Sequence, residues 1–203
     1  MYPTFIDDVR RENGFLTIGE IGGLVSKANI VFDPFSVLIS RYVEIGTGNT
    51  FYPCVTILCA QDADLAIADG NTFHSNSLFE ATAGKIVIGS SNQFGEGGFT
   101  AKANREGALI SFGDNGRYIN GCSVFGHSSL GSGSQIIGAI AVDSCSLEAG
   151  ASYRDPEPDR RAALLKGFGP AKGLTVPVGA VINGKGSFLP EAIERQSNYH
   201  PKV

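Results

Sequence analysis

Large apolar residues recur along this chain at every sixth position, with small and polar residues between them. The segment IGTGNTF at 45–51 returns as IADGNTF at 67–73 and IGSSNQF at 88–94, with weaker copies FGDNGRY at 112–118 and LGSGSQI at 130–136. Carrying the step onward gives the triplets Ile45/Phe51/Ile57, Ile67/Phe73/Phe79, Ile88/Phe94/Thr100, Phe112/Tyr118/Val124 and Leu130/Ile136/Val142. Thr100 is the one polar member, and Phe99 stands beside it. A helical period of 3.6 does not generate strict sixes. β-Branched and aromatic residues at these positions favour short extended segments, and scattered glycines such as Gly46, Gly70 and Gly89 suit sharp corners. The pattern predicts an all-β parallel helix with three six-residue sides per coil. Triplet residues then point inward, and equivalent positions of successive coils stack.

The leading residues of the copies are 22, 21, 24 and 18 apart. The excess over three sixes falls between the third member of one triplet and the first of the next. Cys59–Asp64, Glu80–Lys85 and Lys102–Gly107 are therefore expected to bulge from a single edge, a natural interaction surface in a repeat protein. Asp62, Asp64, Glu80, Lys102 and Arg105 are its candidate binding residues. Asn49, Asn71 and Asn92 each sit four residues after a leading Ile, which predicts a stacked amide ladder bonded to the backbone.

Residues 1–17 are expected to form an N-terminal extension and 18–184 the coil, entered through Ile18/Leu24/Ile30 and interrupted at Asp33-Pro34-Phe35. A loop insertion is expected over 152–173, with two helical turns at Pro158–Lys166, because Ala162, Ala163, Leu164 and Leu165 are good helix formers. Val176 and Ile182 restore a last half-coil. Residues 185–203 are expected to hold a C-terminal α-helix over Phe188–Ser197, with Ser187 before it and Pro190 in its first turn.

With 42% hydrophobic and 18% charged residues the chain has material for a core,. A net charge of −4 with no Lys/Arg run gives no footprint for nucleic acid,. Arg10-Arg11 and Arg160-Arg161 sit beside acids and read as a solvated surface. No signal peptide is evident at the start, and no run reaches the ~18 apolar residues of a membrane span. The four cysteines lack CxxC spacing and read as reduced, packed thiols, so a cytoplasmic location is expected.

Candidate chemistry is sparse. Of His74, His127 and His200, His127 lies among Gly126, Ser128 and Ser129, where a substrate could approach a neutral imidazole, and it is the candidate catalytic base. No HxxH or CxxC nucleates a metal site, so no metal and no cofactor is expected; ligands converging from several chains remain open. The FGEGG glycines lack the strand–turn–helix context of a phosphate cradle and read as corners.

These repeats resemble the hexapeptide-repeat, left-handed β-helix superfamily, which includes trimeric acyltransferases and gamma-class carbonic anhydrases. The left hand is implied by that resemblance alone. The acyltransferases use a catalytic histidine, to which only His127 could correspond, and the histidine triad of the gamma carbonic anhydrases, with its HxxxxH pair, has no counterpart here. Segment order is most similar to the small pointed-end dynactin subunits: IGSSNQF, FGDNGRY, GSQIIGAIA at 133–141, VPVGAVING at 176–184 and SNYHPK at 197–202, with Ser152–Gly173 as the departure. The resemblance implies a non-catalytic scaffold or protein-binding module that meets protein partners through a coil face or end. A homotrimeric acyltransferase with His127 as general base, or a gamma carbonic anhydrase-like metalloprotein, stands as the alternative.

Overall fold

The structure, a computed structural model, describes residues 4–186 and 188–200. Its strands pair almost throughout in parallel, each with the equivalent strand one coil away, and build three walls around a prism-shaped core. This is the parallel β-helix architecture that the sixes predict, consistent with the left hand that the resemblance implies. The first wall stacks Ile45, Ile67, Ile88, Phe112, Leu130, Leu147 and Val176 in register. The second stacks Phe51, Phe73, Phe94, Tyr118, Ile136, Leu165 and Ile182. On the third wall Ile39, Ile57, Phe79, Ala101, Val124, Val142 and Ala171 align. Except for half-buried Ile45, these side chains are at most 3% exposed.

One triplet shifts by a residue. Ala101, not Thr100, faces inward beneath Phe79, and Phe99 is also buried. The cause is the corner Gly95–Gly98, where four consecutive residues have positive φ and the chain takes one extra residue to turn. Glycine reaches these dihedrals without the steric penalty of a Cβ.

The asparagine ladder is present and one rung longer than expected. Asn29 Oδ1 accepts the Asn49 N–H at 2.8 Å, Asn49 Oδ1 the Asn71 N–H at 2.9 Å, and Asn71 Oδ1 the Asn92 N–H at 2.9 Å. Asn92 Oδ1 then accepts the N–H of Gly116 at 2.7 Å. The next rung holds no amide. A side chain at Gly116 would run into the ring and hydroxyl of Tyr118, whose oxygen lies 3.0 Å from Ser134 Oγ. The column thus passes from amides to a tyrosine–serine pair as the ring stack acquires its hydroxyl.

Three expectations about helices fail. Ile18–Val25 is an α-helix (α2), not the first side of a coil, and it follows a helix at Thr4–Glu12 (α1). Thr17 caps α2 in a capping box: its hydroxyl accepts the Glu20 N–H at 3.1 Å, and the Glu20 carboxylate accepts the Thr17 N–H at 2.8 Å,. Those bonds to Thr17 hold the Glu20 carboxyl below its ordinary range. Thr17→Ala should cost about 1 kcal/mol, the usual worth of such a cap, read as a lower urea midpoint with an unchanged slope.

Pro158–Lys166 contains only a 3-10 turn at Pro158–Arg160, and Leu164–Lys172 is a strand. It runs unbroken from the second wall to the third, pairing first with Gln135–Ile137 and then with Ile140–Asp143. Only the part before it leaves the coil. Phe188–Ser197 is likewise not an α-helix: a 3-10 turn at Pro190–Ala192 leads into the strand Ile193–Arg195, antiparallel to Ala180–Lys185, and a 3-10 turn at Gln196–Tyr199. Ser187, its expected cap, lies outside the described residues.

Arg10 is also not solvated. It is 5% exposed, and its guanidinium donates to the carbonyls of Leu16, Pro34, Phe35 and Val37 at 3.0–3.2 Å, fastening α1 to the open end of the coil.

Candidate functional site

The three insertions do leave from one corner, between the third and first walls, as 60–63, 82–84 and 104–108. Four of the five side chains expected to bind there are engaged in ion pairs. Asp64 pairs with Lys85 at 3.3 Å, Glu80 with Lys102 at 3.0 Å, and Arg105 with Asp143 at 3.0 Å; Asp62 is exposed. Opposite charges side by side leave an edge with little net field. His127 is exposed at the head of the strand His127–Leu130 on the first wall. Its backbone N–H faces Ser144 Oγ at 3.4 Å, and its ring has no hydrogen-bond partner among the described residues. No acid among the described residues bonds the ring, and it lines neither cavity described below.

The other groups expected to be inert are so for physical reasons. Cys59, Cys122 and Cys145 are buried free thiols, and burial raises their pKa values, that of Cys122 to about 12; thiols so buried are poor nucleophiles. Cys54 is exposed. The His74 ring packs against Tyr52 at 4.8 Å and faces Gln93 Nε2 at 3.3 Å. Among the described residues no three His, Cys, Asp or Glu side chains are grouped to share a metal ion, and no helix is long and apolar enough to cross a membrane.

The concave site lies elsewhere, on the outer face of the second wall where the regular coil is interrupted. Residues 152–161 leave the corner between the first and second walls and return at a bridge between Ala151 and Arg161. The Arg161 guanidinium sets the loop's shape by donating twice to the Asp155 carbonyl, at 2.9 and 2.7 Å. The C-terminal segment comes up opposite. Gln196, buried, donates to the carbonyls of Ala162 and Ala180. Asp159 of the loop accepts both the N–H and the hydroxyl of Ser197, at 3.0 and 2.9 Å, and these bonds hold its carboxyl below the ordinary range.

Between loop and C-terminal segment is a groove of about 360 Å³, within the size range of small-ligand sites. Strand alternation supplies its floor: Ile137, Leu164 and Val181 are apolar, and Gln135 and Asn183 offer amides. Lys166 rises from the floor, and Tyr153, Arg161, Tyr199 and His200 form the rims. Arg161 Nη1 donates to His200 Nε2 at 2.9 Å, so that ring nitrogen is the unprotonated one. No carboxylate of the described residues forms an ion pair with Arg161 or Lys166. The groove is therefore cationic over an apolar floor. Among the described residues no hydroxyl of Ser or Thr, no thiol and no carboxylate lines it.

Sequence reasoning missed this groove. Arg161 is expected in a solvated basic pair and His200 is given no role; they meet across 39 positions of sequence. The available signal was the single long insertion at a corner where the other coils turn tightly.

No family model matches the chain, and no curated protein matches it. Among solved structures it is similar to LpxA from Acinetobacter baumannii, 15% identical over 78% of this chain and 70% of that one, with a TM-score of 0.33. It is also similar to UDP-N-acetylglucosamine acyltransferase of Francisella novicida, 12% identical over 82% and 69%, with a TM-score of 0.35. Likeness at this level carries nothing about reaction or substrate.

Proposed function

We propose that this chain is a β-helix binding module that seats an extended segment of a protein partner in the groove between residues 152–161 and the C-terminal segment. The observation that carries this reading is the pair of cations, Arg161 and Lys166, set with no ion-pair partner among the described residues over the apolar floor of Ile137, Leu164 and Val181. An acidic side chain of the partner pairs with the cations, and its apolar neighbours cover the floor. The chemistry of the lining favours binding over catalysis. A general base needs a free lone pair within reach of its proton, and the Nε2 lone pair of His200 already accepts from Arg161. The groove is complete within one chain, so this reading holds for a monomer and for a homotrimer alike.

The test is selection of phage-displayed random heptapeptides on the protein, repeated on Lys166→Glu. Enrichment of peptides with one acid flanked by apolar residues is expected. Reversing the central charge should weaken their binding at least about tenfold, since losing one partner of a desolvated ion pair costs more than 1.4 kcal/mol. Selected peptides that bind Lys166→Glu as well as wild type would remove the reading.

A further inference from the structure

A second cavity, of about 240 Å³, lies on the other side of Tyr153. Two guanidiniums line it. The Arg117 side chain comes from the second wall and the Arg154 side chain from the loop, with their central carbons 5.5 and 5.2 Å from the Tyr153 ring centroid. Arg154 Nε donates to the Tyr153 hydroxyl at 3.0 Å. Arg117 is under-satisfied. Its Nε is buried and has no hydrogen-bond partner, the single such side-chain atom among the described residues, and its Nη2 has only the Glu96 carboxylate at 3.8 Å. Arg154 forms no ion pair among the described residues, and no carboxylate lines the cavity. The remaining lining that matters is neutral and polar: Ser91, Gln93 and Asn115.

Two cations lining one cavity are both stabilised by an anion seated in it, and a buried N–H without an acceptor is left with its desolvation uncompensated. Guanidinium forks match the oxygens of phosphate two at a time. We infer that this cavity binds the phosphate group of a small phosphate monoester. A small turn of the Arg117 guanidinium brings its Nε/Nη edge onto two phosphate oxygens, and Arg154 takes a third. Ser91, Gln93 and Asn115 face the polar body of the ester, and the Tyr153 ring forms one side. The inference stands apart from the peptide groove: Lys166 belongs to the groove only, and Arg117 and Arg154 to this cavity only.

Isothermal titration calorimetry of the intact chain at low salt, with sn-glycerol 3-phosphate, inorganic phosphate and acetate as probes, tests it. Saturable binding is expected for glycerol 3-phosphate, weaker binding for inorganic phosphate, and none for acetate. Arg154→Ala, at an exposed position where folding is not in question, should weaken glycerol 3-phosphate at least about tenfold. Arg117→Lys, which keeps the charge and loses the fork, should do the same, with its melting temperature in the absence of phosphate confirming a folded chain. Lys166→Ala should leave this binding unchanged. Absence of saturable heat up to about 10 mM glycerol 3-phosphate, a range that covers even millimolar sites, overturns the proposal. So does equal binding of acetate, or unchanged affinity in Arg154→Ala. Inorganic phosphate binding as tightly as the ester overturns the monoester assignment.

Discussion

Phe94→Ala should lower the unfolding free energy by about 3–5 kcal/mol, at the upper end of large-to-small core substitutions. Phe94 is fully buried and is the hub of the aromatic core. Its ring stacks on Phe73 and Tyr118 at 5.3 Å each, with interplanar angles of 9° and 23°. It meets Phe79 and Phe112 edge-on at 5.0 and 5.1 Å and is tilted against Phe99 at 5.1 Å. All three walls therefore touch one side chain. The small Ala101 on the third wall makes room for this crowding. The void left by alanine cannot close by collapse, because the backbone ladders above and below hold the coils at their ~4.8 Å spacing. Phe51→Ala is the control. Among the described residues Phe51 stacks on Phe73 alone, at 5.0 Å, and should cost clearly less. Urea melts of both variants decide the matter; equal losses would mean that the rings act as independent buried area and not as a cluster.

Much of this was legible in the sequence because the repeat is a physical constraint repeated many times. Phe51, Phe73 and Phe94 pile on one wall as their six-residue spacing requires. What escaped was local. At Thr100 the count slipped because GEGG turns with one extra residue, and counting sixes does not register a bulge. Ile18, Leu24 and Ile30 match a six by coincidence, while Thr17 and Glu20 carry a capping box and Ile21 and Leu24 are the buried pair of a 3.6-residue period. At 162–165 the helix propensity of Ala-Ala-Leu-Leu was outweighed. Propensity differences are below about 0.7 kcal/mol per residue, whereas Leu165 alone, stacked between Ile136 and Ile182, gains about 1.5–3 kcal/mol by burial. The groove was not legible because its parts come from coil, loop and C-terminal segment, and no spacing rule links Lys166 to His200. The candidate edge was legible as an edge, but not that its charges would pair off as Asp64–Lys85 and Glu80–Lys102.

The ladder makes the second large prediction, and its sign depends on pH. Asn71 is fully buried and works in two directions: its Oδ1 accepts the Asn92 N–H, and its Nδ2 donates to Asn49 Oδ1 at 3.0 Å and to the Ala68 carbonyl at 3.3 Å. Asn71→Asp keeps the shape. A protonated aspartic acid reproduces both roles, with its carbonyl accepting and its hydroxyl donating to Asn49. An ionised one brings an acceptor against Asn49 Oδ1 and an unpaired charge into the core. Burial therefore raises the carboxyl's folded pKa above its unfolded value near 3.9. The folded state then holds a proton that the unfolded state releases, so relative stability is near wild type below pH 4 and falls as pH rises toward the folded pKa. The loss relative to wild type should grow by up to about 1.4 kcal/mol per pH unit and exceed that of Asn71→Ala by pH 7. Alanine leaves the Asn92 N–H without its acceptor, at about 1–3 kcal/mol, and removes one of the two bonds to Asn49 Oδ1, which keeps the residue-71 backbone N–H; its difference from wild type should not change with pH. Urea melts of the three proteins between pH 4 and pH 7 separate the cases. A pH-independent Asn71→Asp difference would mean that water reaches the ladder and that its amides do not hold the coils together through direct bonds.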